Sequence, residues 1–115
     1  MKDFKVNFCL ADSSYITALR LVAGAVCSAH DIDVDTAEDF KVCVTESILI
    51  LKGCGFENAD VVFSGGGHVT CTVEGSGGSP KAGENDFSLA LISALVSRCD
   101  IEKQGEIIKR VILEL

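Results

Sequence analysis

Asp39-Phe40-Lys41-Val42-Cys43-Val44-Thr45-Glu46-Ser47, running on into Ile48-Leu49-Ile50-Leu51, is the stretch that decides the fold. Phe40, Val44, Ile48 and Leu51 recur at three- and four-residue intervals, which places them along one face of an α-helix. Val42, Cys43, Leu49 and Ile50 are apolar too, so this helix is expected to be covered on two sides. Asp35 or Thr36 can cap its start, and Glu38 and Asp39 suit the positive end of the helix dipole. Gly53 and Gly55 end it.

Upstream, Phe4, Val6 and Phe8 alternate with Lys5 and Asn7, the period of a half-buried strand. Asp12, Ser13 or Ser14 can then cap a helix from Tyr15 to about Ala29, whose stripe is Ile16, Leu19, Ala23 and Val26. Downstream, β-branched segments 60–64 and 69–74 flank Gly65-Gly66-Gly67-His68, a hairpin signal. Residues 75–84 form a glycine-rich loop that holds the only proline, Pro80. Asn85 or Asp86 caps a third helix with Leu89, Ile92, Leu95 and Val96 on its apolar side, and a second hairpin turns at Gln104-Gly105. The expected order is β-α-α-β-β-α-β-β: a two-layer α/β sandwich, with a mixed, mostly antiparallel sheet covered on one face by three helices.

The 115 residues fit one domain spanning 1–115, and 48% hydrophobic content supplies one ordinary core. A net charge of −7 without a Lys/Arg cluster argues against nucleic acid and anionic membranes as partners. Six cysteines lie scattered in apolar stretches with no C-x-x-C pair, which reads as buried free thiols in a cytoplasmic protein and not as zinc ligands. No signal peptide is read before the first strand, and the apolar run 48–51 is too short to cross a membrane. His30 and His68 are expected in turns.

The order of elements, the stretch 39–47, the segment Val73-Glu74-Gly75-Ser76-Gly77-Gly78 and the run Leu89 to Val96 together resemble the GHKL-type nucleotide-binding domain of histidine kinases and anti-sigma-factor serine kinases. The length is similar to the stand-alone serine kinases. The resemblance implies a Glu on the second helix as general base and, four residues on, an Asn that ligates magnesium. Glu46 matches the Glu, but Ile50 stands where the Asn is expected and offers no oxygen to a hard cation. It implies an Asp followed by spaced glycines that receives the adenine amino group; Glu74 takes the acid's place, Ser76 the first glycine's and Gly78 the second's. It implies a glycine pair before the third helix, where Asp86 and Ser88 stand. A carboxylate about 4 Å from a phosphate costs about 4 kcal/mol at an effective dielectric near 20, against about 8 kcal/mol behind a micromolar affinity. Lys81, the only base in the 75–84 loop, is the one side chain there that suits a phosphate. Plainer roles fit the same residues: a surface carboxylate for Glu46, a helix cap for Asp86, a solvated lysine for Lys81.

The first expectation is a non-catalytic, anti-sigma-factor-like regulatory module, a pseudokinase that binds a protein such as a sigma factor or an anti-sigma antagonist. Its surface would involve the first helix with Arg20 and the 75–86 loop, and a homodimer is a further option. No cofactor is expected; ATP and magnesium enter only if the altered site works. The alternatives are an active serine/threonine protein kinase with a changed pocket, and a small-molecule-sensing α/β domain.

Overall fold

The computed structural model describes residues 3–12 and 14–115. The elements are β1 (Phe4–Cys9), α1 (Ser14–Ala29), α2 (Val34–Gly53), β2 (Asn58–Gly65), β3 (Val69–Ser76), α3 (Asp86–Leu95), β4 (Arg98–Gln104) and β5 (Ile107–Glu114). This is the order read from the sequence. The strands form one sheet in the spatial order β1-β2-β3-β5-β4. All four pairings are antiparallel, so the sheet holds no parallel pair among the described strands. The two hairpins, β2–β3 and β4–β5, force antiparallel neighbours through their short turns, and β1 returns against β2 after the two helices between them.

Alternation separates the two faces of the sheet. Along β3, Val69, Cys71, Val73 and Gly75 are buried, whereas Thr70, Thr72, Glu74 and Ser76 are only half-buried. The buried set meets the helices, with α2 packed on β3 and β5 and flanked by α1 and α3. Phe40, Val44, Ile48 and Leu51 are all buried on α2, and the Phe40 ring meets Phe63 of β2 edge-on at 6.3 Å between centroids. The expected second covered side holds for Cys43 and Ile50; Leu49 remains 43% exposed.

The helix starts differ in detail from the sequence reading. Asp33, not Asp35 or Thr36, caps α2: its backbone is extended and its carboxylate accepts the Thr36 N–H at 3.1 Å. Before α1, the Asp12 carboxylate accepts from the N–H and hydroxyl of Ser14; the other candidate cap, Ser13, lies outside the described residues. Asn85 precedes α3 without a side-chain capping bond, and Asp86 is the first residue of the helix, where its charge suits the dipole. The cysteines are free thiols, with Cys27, Cys43, Cys54 and Cys71 buried. No described helix is long and apolar enough to cross a membrane.

Candidate functional site

The residues that the resemblance singles out fall into two groups on opposite faces of the sheet. On the helix side, α2 and α3 pack together and bring Glu46 to Ser88, whose hydroxyl donates to the Glu46 carboxylate at 3.2 Å. One turn earlier on α2, the Cys43 thiol points at the Ile92 carbonyl of α3 at 3.9 Å. Burial pushes the Cys43 thiol up to about 12, and the nearby Asp39, Cys99 and Glu46 add to the rise. This thiol is therefore protonated and poorly nucleophilic at neutral pH.

Ile50 is 1% exposed and belongs to the hydrophobic core. The position that the resemblance would give to a magnesium-ligating Asn is thus occupied by packed methyl groups.

Residues 77–85 fold back against the C-terminal end of α2. The Ser79 N–H donates to the Gly55 carbonyl at 3.2 Å, and the Lys81 N–H donates to the Cys54 carbonyl at 2.7 Å. Gly78 has a φ of +71° and lies so close to the Gly55 carbonyl oxygen that any Cβ there would collide with it. The Asn85 amide reaches the Cys54 sulfur at 3.7 Å. Lys81 therefore contributes its backbone to the fold, while its side chain stays exposed. The loop uses its glycines to approach backbone, as a phosphate-binding loop would, but the groups it approaches are carbonyls of its own chain.

Glu74 stands apart from this group. It belongs to the half-buried set on β3, so its side chain lies on the face away from the helices. There it accepts from the Arg110 guanidinium, with Nε at 2.7 Å and a second contact from Nη2. Arg110 also donates from Nη1 to Glu102 at 2.9 Å. These bonds, first to Glu74 and then to Glu102, raise the guanidinium above its ordinary value. The register explains the cluster: Asp60, Glu74, Arg110 and Glu102 are directly opposite one another across β2, β3, β5 and β4. Like charges at Asp60 and Glu74 would repel. Arg110 satisfies one of them, and the Asn7 amide on β1 donates to the other at 2.6 Å.

Strand alternation already carried this information. Val69, Cys71 and Val73 share the apolar face, so Glu74 must point the other way. Shifting the spaced-glycine pattern by one residue aligns it with Gly75 and Gly77 and puts Val73 in the acid's place. Val73 is fully buried and has no acceptor. Gly75 sits under the Phe56 ring, which a Cβ would strike, so that glycine serves packing. In either frame, no carboxylate from this segment reaches the helix side.

The chain matches no protein-family model and no curated protein.

The residues that the resemblance assigns to magnesium-ATP do not suit it: Ile50 is apolar and buried, Glu74 faces away from the helices, Asp86 brings negative charge to the start of α3, and residues 77–85 bond to the end of α2. Among the hollows lined by the described residues, two lie away from both groups. One, of about 490 Å³, runs between β1 and α1 and is lined by Val6, Phe8, Tyr15, Ala18, Leu19 and Val22 among others. The other, of about 480 Å³, brings together His30 and His68 with Asp31 and Asp33. The two histidines, distant in sequence, thus meet where the α1–α2 turn faces the β2–β3 turn, but the described residues hold no cluster of three metal-ligating side chains. Arg20 is half-buried on α1 and close enough to Glu38 to add to the lowering of that carboxyl, which Lys41 causes first.

Proposed function

We propose that this chain is a non-catalytic regulatory domain: a protein-binding module with the layout of anti-sigma-factor serine kinases, working in the cytoplasm without a nucleotide. The observation that carries the reading is the closure of residues 77–85 onto the end of α2 by backbone hydrogen bonds, over an α2 whose metal-ligand position is the buried Ile50. A kinase needs a base, a phosphate cradle and a metal together. Here Glu46, the candidate base, is engaged by Ser88, Lys81 is the one base in the loop and bonds to Cys54 through its backbone, and Ile50 offers a metal no oxygen.

The partner in this reading is a protein, such as a sigma factor or an anti-sigma antagonist. The surface offered to it includes Phe87, 79% exposed at the start of α3 and immediately beyond the closed loop. An exposed aromatic next to polar loop residues suits a protein contact better than solvent. The chain's charge of −7 favours a basic partner face and association that weakens with salt.

A thermal-shift titration with ATP and ADP, with and without magnesium, tests the reading. No change in melting temperature at millimolar nucleotide is the expected result. A magnesium-dependent rise would overturn it and restore the kinase, because a ligand that binds only the folded state must stabilise it.

A further inference from the structure

β1 is the first strand in the spatial order, so it is an edge of the sheet; among the described residues only β2 pairs with it. An unpaired edge is a template for another strand unless the sequence blunts it. The opposite edge, β4, is blunted. It carries Arg98, Asp100, Glu102 and Lys103, and its register breaks between Glu102 and Lys103. β1 is less protected: its register with β2 is unbroken from Phe4 to Cys9, and it carries one charge, Lys5. Along this open edge runs the apolar groove between β1 and α1.

A strand laid along β1 must send alternate side chains to the helix side, where the groove is apolar, and to the open face, which is polar. β1 itself meets this requirement. Phe4, Val6 and Phe8 lie on the helix side, opposite Phe63, Val61 and Ala59, and Lys5 and Asn7 lie on the other. The helix-side pattern also reads the same in both directions about Val6: Phe, Val, Phe. Antiparallel pairing about a two-fold axis at Val6 therefore sets Phe4, 49% exposed, beside the partner's Phe8 and at the mouth of the partner's groove. On the open face it sets Lys5 beside the partner's Asn7, which holds Asp60 at 2.6 Å. The ammonium of each copy thereby lies on the same face as Asp60 of the other, one strand beyond Asn7, twice by symmetry, in a chain of net charge −7.

We propose that β1 pairs with β1 of a second copy, antiparallel about Val6, joining the two sheets into one and filling both grooves. Such an interface is isologous and closes on itself. The proposal goes beyond the regulatory reading and does not depend on whether a nucleotide binds.

The first test is the mass in solution, by size-exclusion chromatography with light scattering under reducing conditions over a concentration series. The expected mass is twice the 12.1 kDa of the chain. A monomer at every concentration, including one that captures a strand of another protein, overturns the proposal. Val6→Lys places two ammonium groups on the axis and should weaken the dimer at least about tenfold, as like charges placed directly opposite do. Circular dichroism checks that this variant folds; if it does not, Phe4→Lys, at a half-exposed position, gives the same reading. A dimer that survives the substitution at full strength lies elsewhere and overturns the proposal.

The register has its own test. Pairing about Val6 sets Cys9 opposite Asp3 of the partner, both on the open face. Oxidised Asp3→Cys protein should therefore run as a covalent dimer on a non-reducing gel through the introduced thiol and the partner's Cys9. Loss of the cross-link on adding Cys9→Ser confirms the register, and absence of any cross-link overturns it.

Discussion

At the C-terminal end of α2 the chain folds back on itself; along the outer edge of β1 it does not. Both regions combine an apolar wall with backbone polar groups that need partners. At α2 those groups are met from within, by the N–H groups of Ser79 and Lys81. At β1 the outward row has no partner among the described residues. The difference lies in sequence chemistry. Residues 77–83 contain three glycines, at 77, 78 and 83, and can lie flat against carbonyls because no Cβ intervenes. Among the described residues, no such loop beside β1 folds over the groove. A closed region contributes to the stability of the single chain, whereas an open one contributes only when something docks. Substitutions in the two regions should therefore be read by different instruments.

The largest effect is expected from Ile50→Asn, which exchanges packed methyl groups for a buried amide. Chemical denaturation should report a loss of about 3–5 kcal/mol. The same variant tests whether the resemblance has a dormant site beneath it: a gain of magnesium-dependent ATP binding would mean that the closed region is a pocket after all. Next is Gly78→Ala. A Cβ there meets the Gly55 carbonyl at a positive φ, and the cost should be about 1–3 kcal/mol. Faster hydrogen exchange at Ser79 and Lys81 would mark the loop lifting from α2.

At the open edge the balance reverses. Tyr15 is 52% exposed on the groove wall, so Tyr15→Ser should move the stability of a monomer by no more than about 0.5 kcal/mol, while measurably raising the dimer dissociation constant in light scattering. Equal losses in both measurements would erase the distinction between the two regions.

The smallest effect lies outside both and is one of pH. Hydrogen bonds from Thr36 hold the Asp33 carboxyl below its ordinary value. A carboxyl lowered by folding stabilises the protein above its unfolded pKa, and that contribution is lost as pH falls through the folded value. Asp33→Asn keeps a capping oxygen but removes the titration. Urea denaturation across acidic pH should show a shallower decline for the variant than for the parent, with the two curves converging at low pH.

The sequence reading recovered the order of the elements because strands and helices announce themselves by periods that side chains carry. Phe4, Val6 and Phe8 mark one period, and Phe40, Val44, Ile48 and Leu51 the other. It misplaced the start of α2 by a turn's fraction because Asp33, Asp35 and Thr36 are all capable caps, and only the backbone conformation chooses between them. Glu74 was read by motif spacing when its strand parity already set its face. The closure of residues 77–85 left no trace in the sequence beyond glycine content, since backbone atoms make its hydrogen bonds and any sequence has those. The row from Asn7 through Asp60, Glu74 and Arg110 to Glu102 was equally hidden, because it needs the register of five strands at once.

The pairing of β1 with β2 has a consequence in time. During synthesis β1 is made before α1, α2 and β2, so Cys9 meets Asn58, and Phe4 meets Phe63, only after both intervening helices have been built. The two hairpins close over short turns as soon as their second strands emerge, while β1 must wait for a distant stretch of chain. Through that interval β1 lacks the one strand it pairs with among the described residues, so both of its edges wait on the chain that follows.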